Sequence, residues 1–242
     1  MDPLTIIIIV ISVLFGGTLA SWEKIITALI GKKIAVLGAR GAGKTTLLSY
    51  LNMINMLGLE TEQTRSAGKT RSSSIKDLVV GGESQKIWLK DTVDLPGSEE
   101  YRDNGKWQEV FKVADIVLYF VHTAALLRGV DTSNVRNTKR TPDEIKRETQ
   151  QRVEDDLKNI QAWIKDLKAP NKKVFIIGNH FDEIDENFNR NDNIENYELE
   201  FKQNKAIKDN CQGMTIIIGS LKTRNSMKDI LEQVVNTMEA KS

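Results

Sequence analysis

The sequence predicts an α/β domain with a mostly parallel sheet and helices on both faces, preceded by a single transmembrane helix. Three observations predict it. Short apolar runs alternate with helix-periodic segments from Lys32 onward. One strand-to-helix junction is rich in glycine and ends in Lys-Thr. An uncharged apolar run opens the chain.

Composition narrows the class. The 242 residues carry 34 Lys+Arg and 33 Asp+Glu, a net charge of +1. That balance argues against a chain that coats nucleic acid, and no specific nucleic-acid partner is expected. A hydrophobic fraction of 40% with 28% charged residues excludes wholesale disorder. One cysteine, Cys211, excludes a disulfide framework and is read as an inert thiol. Two histidines, His122 and His180, leave little for a histidine metal cluster.

The opening segment has three readings. Leu4 to Phe15 is almost wholly large and apolar, and the uncharged stretch runs on to Trp22, 19 residues from Leu4. That length crosses a bilayer as a helix. A signal peptide needs a positive start, which Met1-Asp2-Pro3 lacks, although Thr18-Leu19-Ala20 loosely resembles a cleavage site. A buried core segment is the third reading. A single-pass anchor is preferred, with Lys24, Lys32 and Lys33 placing the bulk of the chain on the cytoplasmic side. Ser21 to Ile30 reads as an amphipathic continuation at the membrane face. Residues 1–30 are thus anchor and juxtamembrane segment, and 31–242 the folded domain.

The elements follow in order. Lys33 to Gly38 is a buried strand, and Lys44 to Leu57 a helix with Leu47, Leu48, Leu51, Ile54 and Leu57 at helical spacing. Glu60 to Ser74 is a polar loop. Ile75 to Val80 and Lys86 to Val93 flank Gly81-Gly82-Glu83-Ser84 as a hairpin. Asp115 to Val121 is a strand, and residues 129–140 a polar insertion. Thr141-Pro142-Asp143-Glu144 opens a helix that runs to about Leu167. Lys173 to Gly178 and Met214 to Ile218 are strands, 182–193 a solvated loop, and Asn225 to Met238 the final helix.

The glycine-rich junction is Gly38-Ala39-Arg40-Gly41-Ala42-Gly43-Lys44-Thr45, a complete G-x-x-x-x-G-K-[ST]. Gly41 and Gly43 let the backbone curl so that its N–H groups, Ala42 included, point at a β-phosphate. The helix start, with Thr46 in its first turn, adds a favourable dipole. Lys44 reaches the β- and γ-phosphates, and the Thr45 hydroxyl ligates Mg²⁺.

Asp94-Leu95-Pro96-Gly97 follows a strand about fifty residues later. Asp94 can hold Mg²⁺ through water, and the Gly97 N–H can meet the γ-phosphate. Asn179-His180-Phe181-Asp182 follows another strand. Asp182 can accept two hydrogen bonds from the N1–H and 2-amino group of guanine, which adenine cannot offer. Asn179 can tie this loop to the phosphate loop. After the last strand, Ser220, Leu221 and Lys222 can meet the base O6 and plane.

In this order the motifs resemble those of the TRAFAC small-GTPase superfamily, over roughly residues 32–240. The resemblance implies a P-loop G domain that binds GTP or GDP with Mg²⁺. Ser66-Ala67-Gly68-Lys69-Thr70-Arg71 is similar to a stretch of the Era-like branch. By that match Thr70, with Thr64 as alternative, meets Mg²⁺ and the γ-phosphate. An anchor before a G domain, and the D-L-P-G form, also resemble the β subunit of the signal recognition particle receptor. The expected catalytic set is Lys44, Thr70, Gly97 and Arg40, and the expected metal set Thr45, Thr70 and Asp94.

The chain departs from the family at three places. His180 stands where lysine covers the base plane, and an imidazole can stack there instead. Ser98 stands where Ras-like members orient water with glutamine, which predicts slow hydrolysis completed by a partner. Arg40 stands at a glycine position; a γ-phosphate finger, an obstruction to a partner's finger and a solvent-facing side chain are its three readings.

His122 is read as packed at a strand end, and Trp107 and Phe111 as the apolar side of a helix. Tyr101 and Arg102 face either an effector or solvent. The expected protein is a membrane-anchored switch whose effector reads residues 64–74 and 97–107, with an activating or exchange protein as further partner. A GTP-loaded scaffold that scarcely hydrolyses is the alternative. An ATP-using kinase is disfavoured by Asp182.

Overall fold

The computed structural model describes residues 8–9, 12–13, 17–29, 32–39, 41–56, 78–80, 83–85, 88–89, 105–131, 140–167, 172–184 and 194–240. The helices are α1 (Leu19–Leu29), α2 (Lys44–Met56), α3 (Lys106–Val113), α4 (Thr123–Arg128), α5 (Pro142–Asp166), α6 (Ile194–Gln203), α7 (Lys205–Lys208) and α8 (Arg224–Ala240). The strands are β1 (Lys33–Gly38), β2 (Leu78–Val80), β3 (Glu83–Gln85), β4 (Trp88–Leu89), β5 (Ile116–His122), β6 (Lys173–Asn179) and β7 (Thr215–Ile218).

Among the described residues five strands form one sheet in the order β4-β1-β5-β6-β7, every pair parallel. Strands buried on both faces read as unbroken apolar runs, as β5 does with all seven residues buried. Successive side chains alternate between faces. Ile34, Val36, Leu118, Phe120, Phe175 and Ile177 pack under α1 and α8. Ala35, Leu37, Val117, Tyr119, Val174 and Ile176 pack under α3 and α5. The expected helix–sheet–helix layering is present.

Local signals explain the helix ends. Thr141 and Glu144 form a reciprocal capping box: the Thr141 N–H donates to Glu144 Oε2 at 2.8 Å, and the Glu144 N–H to Thr141 Oγ1 at 3.3 Å. Lys172 closes the C-terminal end of α3, donating from Nζ to the carbonyls of Phe111, Lys112 and Ala114. Its burial pushes the ammonium below the usual lysine range. Trp107 and Phe111 of α3 are buried, as their spacing predicts.

Two regions differ from the sequence reading, and α4, α6 and α7 lie where it assigned no element. The hairpin pairs in a different place. β2 pairs antiparallel with β3, with Val80 opposite Glu83, so residues expected in the turn form the second strand. The following apolar residues, Trp88 and Leu89, leave the hairpin and join β1 as a parallel edge.

The second difference lies at the N-terminus. Among the described residues no helix is long and apolar enough to cross a membrane. The amphipathic helix expected over Ser21–Ile30 is present as α1, but its apolar stripe is covered. Trp22, Ile25, Ile26 and Leu29 are buried in the same cluster as Met227, Leu231 and Val235 of α8. Ile8 is buried in that cluster too, and Val13 is exposed. The Lys24 ammonium pairs with Glu239 at 2.8 Å and donates to Asn236 Oδ1 at 2.7 Å. An apolar stripe that finds a sheet and a helix to cover it gains what it would gain in lipid. The stripe expected at a membrane face is thus packed in the core, while of the described residues before α1 Ile8 is buried and Val13, Gly17 and Thr18 are exposed.

Candidate functional site

The sheet reverses its direction of growth at β1. From there β5, β6 and β7 extend one way, while β4 lies on the other side. The crevice beyond the strand C-termini at such a reversal is where open α/β sheets bind ligands. β1 ends in Gly38, and α2 begins at Lys44 with no acidic residue in its first turn. An anion placed there meets the positive end of the helix dipole, while the Ala42 N–H donates to the Ala39 carbonyl at 3.3 Å.

Backbone geometry explains the glycines. Gly38, Gly41 and Gly43 have φ of 133°, 77° and 100°, a region L-residues avoid. A Cβ on Gly38 would strike the Phe120 carbonyl, and one on Gly43 the side-chain amide of Asn179. The loop thus lies directly against β5 and the β6 end. Lys44 is buried, and its Nζ donates to the carbonyls of Gly38 at 2.9 Å and Ala39 at 2.7 Å. Those bonds fold the ammonium back over the loop mouth. Ala42 is buried, while Thr45 and Thr46 are exposed on the first turn.

The second half is built from side chains. Asn179 is 1% exposed. Its Nδ2 donates to the Ala42 carbonyl at 3.0 Å, and its Oδ1 accepts the Leu221 N–H at 2.9 Å. One amide thereby ties the phosphate loop to the loop after β7, as expected for Asn179. Asp182 lies in a 3-10 turn, Phe181–Glu183. Its Oδ1 accepts the Ser220 hydroxyl at 2.5 Å, and Lys222 Nζ lies 3.6 Å from Oδ2. Ser220 Oγ also accepts the Lys222 N–H at 3.0 Å. The carboxylate is therefore fixed beside the loop that Asn179 anchors.

The structure brings together Gly38, Gly41, Ala42, Gly43, Lys44, Thr45, Thr46, Asn179, His180, Asp182, Ser220, Leu221 and Lys222. Arg40, Thr64, Thr70, Asp94, Gly97, Ser98, Tyr101 and Arg102 lie outside the described residues. Of the expected Mg²⁺ ligands, Thr45 alone is described. Its place in the first turn after Lys44 fits the role.

Two residues escaped the motif reading. His122 stacks on His180, with ring centroids 4.0 Å apart and planes 1° apart. Glu183 faces both, 2.8 Å from His180 Nδ1 and 3.4 Å from His122 Nε2. Ligand atoms of these three side chains lie within 4.8 Å of one another. Burial, then the neighbouring His180, pushes the His122 imidazole down to about 3. A signal was present in the pairing: His122 is the last residue of β5 and stands in register with Asn179.

No family model matches the chain, and no curated protein matches it significantly. Among solved structures it is similar to an ADP-ribosylation-factor-like GTP-binding protein, the small COPII coat GTPase SAR1 of Encephalitozoon cuniculi, in complex with GDP. The two are 14% identical over 92% of this chain and 88% of that one, with a TM-score of 0.43. No sequence match supports the Era-like branch or the signal recognition particle receptor. At that identity and TM-score the likeness carries no weight, and the functional case stands on the loop geometry.

Proposed function

We propose that the protein is a guanine-nucleotide-binding switch that hydrolyses GTP slowly. The observation that carries this reading is the Asn179 side chain. It bonds Ala42 of the phosphate loop and Leu221 of the last loop, and so sets the phosphate cradle and Asp182 in one crevice. A phosphate loop alone accepts any nucleotide. A carboxylate fixed beside it selects a base with adjacent N–H donors, as guanine has.

In this reading the loop amides and Lys44 hold the β- and γ-phosphates. Lys44 exchanges its Gly38 and Ala39 carbonyls for phosphate oxygens and stabilises the charge that develops as water attacks in line. Thr45 would hold Mg²⁺, which when bound supplies further neutralisation of phosphate charge. Thr70 and Gly97 sense the γ-phosphate, and its loss releases residues 64–74 and 97–107, the surface offered to a protein effector. Ser98 is too short to orient the attacking water, which makes unassisted turnover slow and favours, as second reading, a GTP-loaded scaffold. Arg40 is proposed as a γ-phosphate finger. The membrane contact proposed from the sequence is confined to the apolar residues before α1.

Competition of GDP against ADP for the nucleotide-stripped full chain tests the base. GDP preference by about 100-fold or more supports the reading, from the two hydrogen bonds Asp182 adds. Equal affinity overturns it. Single-turnover GTP hydrolysis separates slow switch from scaffold: a rate that Arg40→Ala lowers supports the switch, and no hydrolysis supports the scaffold.

A further inference from the structure

The cluster of His122, His180 and Glu183 lies at the base end of the crevice, and the motif there accounts for His180 alone. His180 is held in a left-handed backbone conformation, φ 65°, between Asn179 and the 3-10 turn that carries Asp182. One face of its ring lies flat on His122. Its Nδ1 edge is bonded to Glu183. About a quarter of the side chain remains exposed.

His122 is itself fixed. Its Nδ1 accepts the Ala125 N–H at 3.3 Å, capping α4, so the proton of the neutral ring sits on Nε2, facing Glu183. Glu183 is hydrogen-bonded to His180 Nδ1, and its other carboxylate oxygen lies 3.4 Å from His122 Nε2. This arrangement disfavours a metal ion. A ligating imidazole donates its second nitrogen's proton outward, whereas His122 Nδ1 is already an acceptor. Two parallel rings also aim their in-plane lone pairs side by side, not at a common point. What the pair forms is a flat ring stack two residues from a fixed carboxylate, with a quarter of the His180 side chain exposed and its Nε2 buried without a hydrogen-bond partner. A flat heterocycle bearing N–H donors on its edge fits both at once.

We propose that His122 is a positioning residue: by stacking on His180 and sharing Glu183 it holds the His180 ring flat, so that His180 grips the face of a purine whose edge Asp182 reads. The proposal rests on the guanine-nucleotide reading and extends it from the Asp182 edge contact to a base-face contact. His122 touches His180 and not the nucleotide. Its burial and low basicity keep it neutral near pH 7, so the stack does not become a pair of like charges.

The test measures the affinity of the full chain for GDP and for inorganic tripolyphosphate in wild type, His122→Ala, His122→Phe and His180→Ala. The GDP-to-tripolyphosphate affinity ratio is expected to fall roughly 10-fold in His122→Ala and in His180→Ala. It is expected to recover most of that in His122→Phe, which keeps the flat face. Proton NMR at saturating GDP supplies a second readout. The guanine H8 resonance shifts upfield in wild type and His122→Phe, and loses that shift in His122→Ala. An unchanged ratio or an unchanged H8 shift in His122→Ala overturns the proposal. If His122→Ala does not fold, His122→Leu, which fills the site without a flat ring, takes its place in the same comparison, and a wild-type ratio and H8 shift there overturn the proposal. Failure of wild type to prefer GDP over ADP defeats the parent reading instead, and is read from wild type alone.

Discussion

At the β1 end of the crevice the contacts are made by backbone, and at the β6–β7 end by side chains. Gly38, Gly41 and Gly43 shape the first end through positive φ values and close approach to Phe120 and Asn179. Asn179, His180, Asp182 and Ser220 shape the second through hydrogen bonds and a ring stack. The difference matches the ligands. A phosphate is a symmetric anion, and any ring of N–H groups will hold it. A base is distinguished by the order of donors and acceptors along one edge, which demands side chains of particular chemistry. A change at the first end is therefore expected to remove all nucleotide binding, and one at the second to change which nucleotide binds.

Gly43→Val attacks the first end hardest. Its Cβ meets the Asn179 amide in a backbone conformation that valine avoids. We expect a loss of about 100-fold or more for GDP, ADP and tripolyphosphate alike, measured by titration calorimetry. A loss confined to GDP would break the division between the two ends.

Asn179→Ala cuts the tie. It strands the buried Ala42 carbonyl and the Leu221 N–H, at a cost of about 2–4 kcal/mol of stability. Denaturant midpoints read the first effect, and weakened binding of every nucleotide reads the second. Asp182→Asn acts on the base end alone. It exchanges an acceptor for an amide, and we expect roughly a 10-fold loss for GDP with a gain for the xanthosine nucleotide. Unchanged preference would remove Asp182 from base reading.

His122 adds a pH dependence to the same end. Its folded value of about 3 lies below the ordinary 6.5, so between those values the unfolded chain binds more protons than the folded one. Stability from this group is present above about pH 6.5 and falls as pH drops toward 3, by at most about 1.4 kcal/mol per pH unit. His122→Phe is expected to flatten the thermal-stability profile over that window. The smallest effect lies outside the crevice. Lys24→Ala removes an exposed pair with Glu239 and is expected to cost no more than about 1 kcal/mol.

The backbone end was also the more legible in sequence. Its residues are contiguous, and the glycine spacing specifies the turn without reference to any other element. β1, β6, α2 and α5 were legible for a similar reason: each is fixed by a local pattern, and the Thr141 cap is visible four residues deep. The base end required knowing which loops meet. Asn179 and Asp182 were readable through their motif, but His122 and Glu183 were not. A histidine ending β5 becomes a neighbour of His180 only through the register of two parallel strands. The N-terminal segment shows the same limit in another form. The stripe of Trp22, Ile25, Ile26 and Leu29 is equally apolar whether it meets lipid or α8, and composition cannot tell which surface covers it. The split of β3 from β4 follows too, since a neighbouring β1 claimed Trp88 and Leu89.

The pairing of α1 with α8 bears on how the chain folds. Trp22 is fully enclosed, and part of its cover comes from a helix that begins at Arg224. About two hundred residues separate the two helices in sequence, so this contact closes a long loop that no local pairing can form. The tryptophan face is sealed only when both helices lie on the sheet, and any variant that loosens α8 bares it to solvent and proteases.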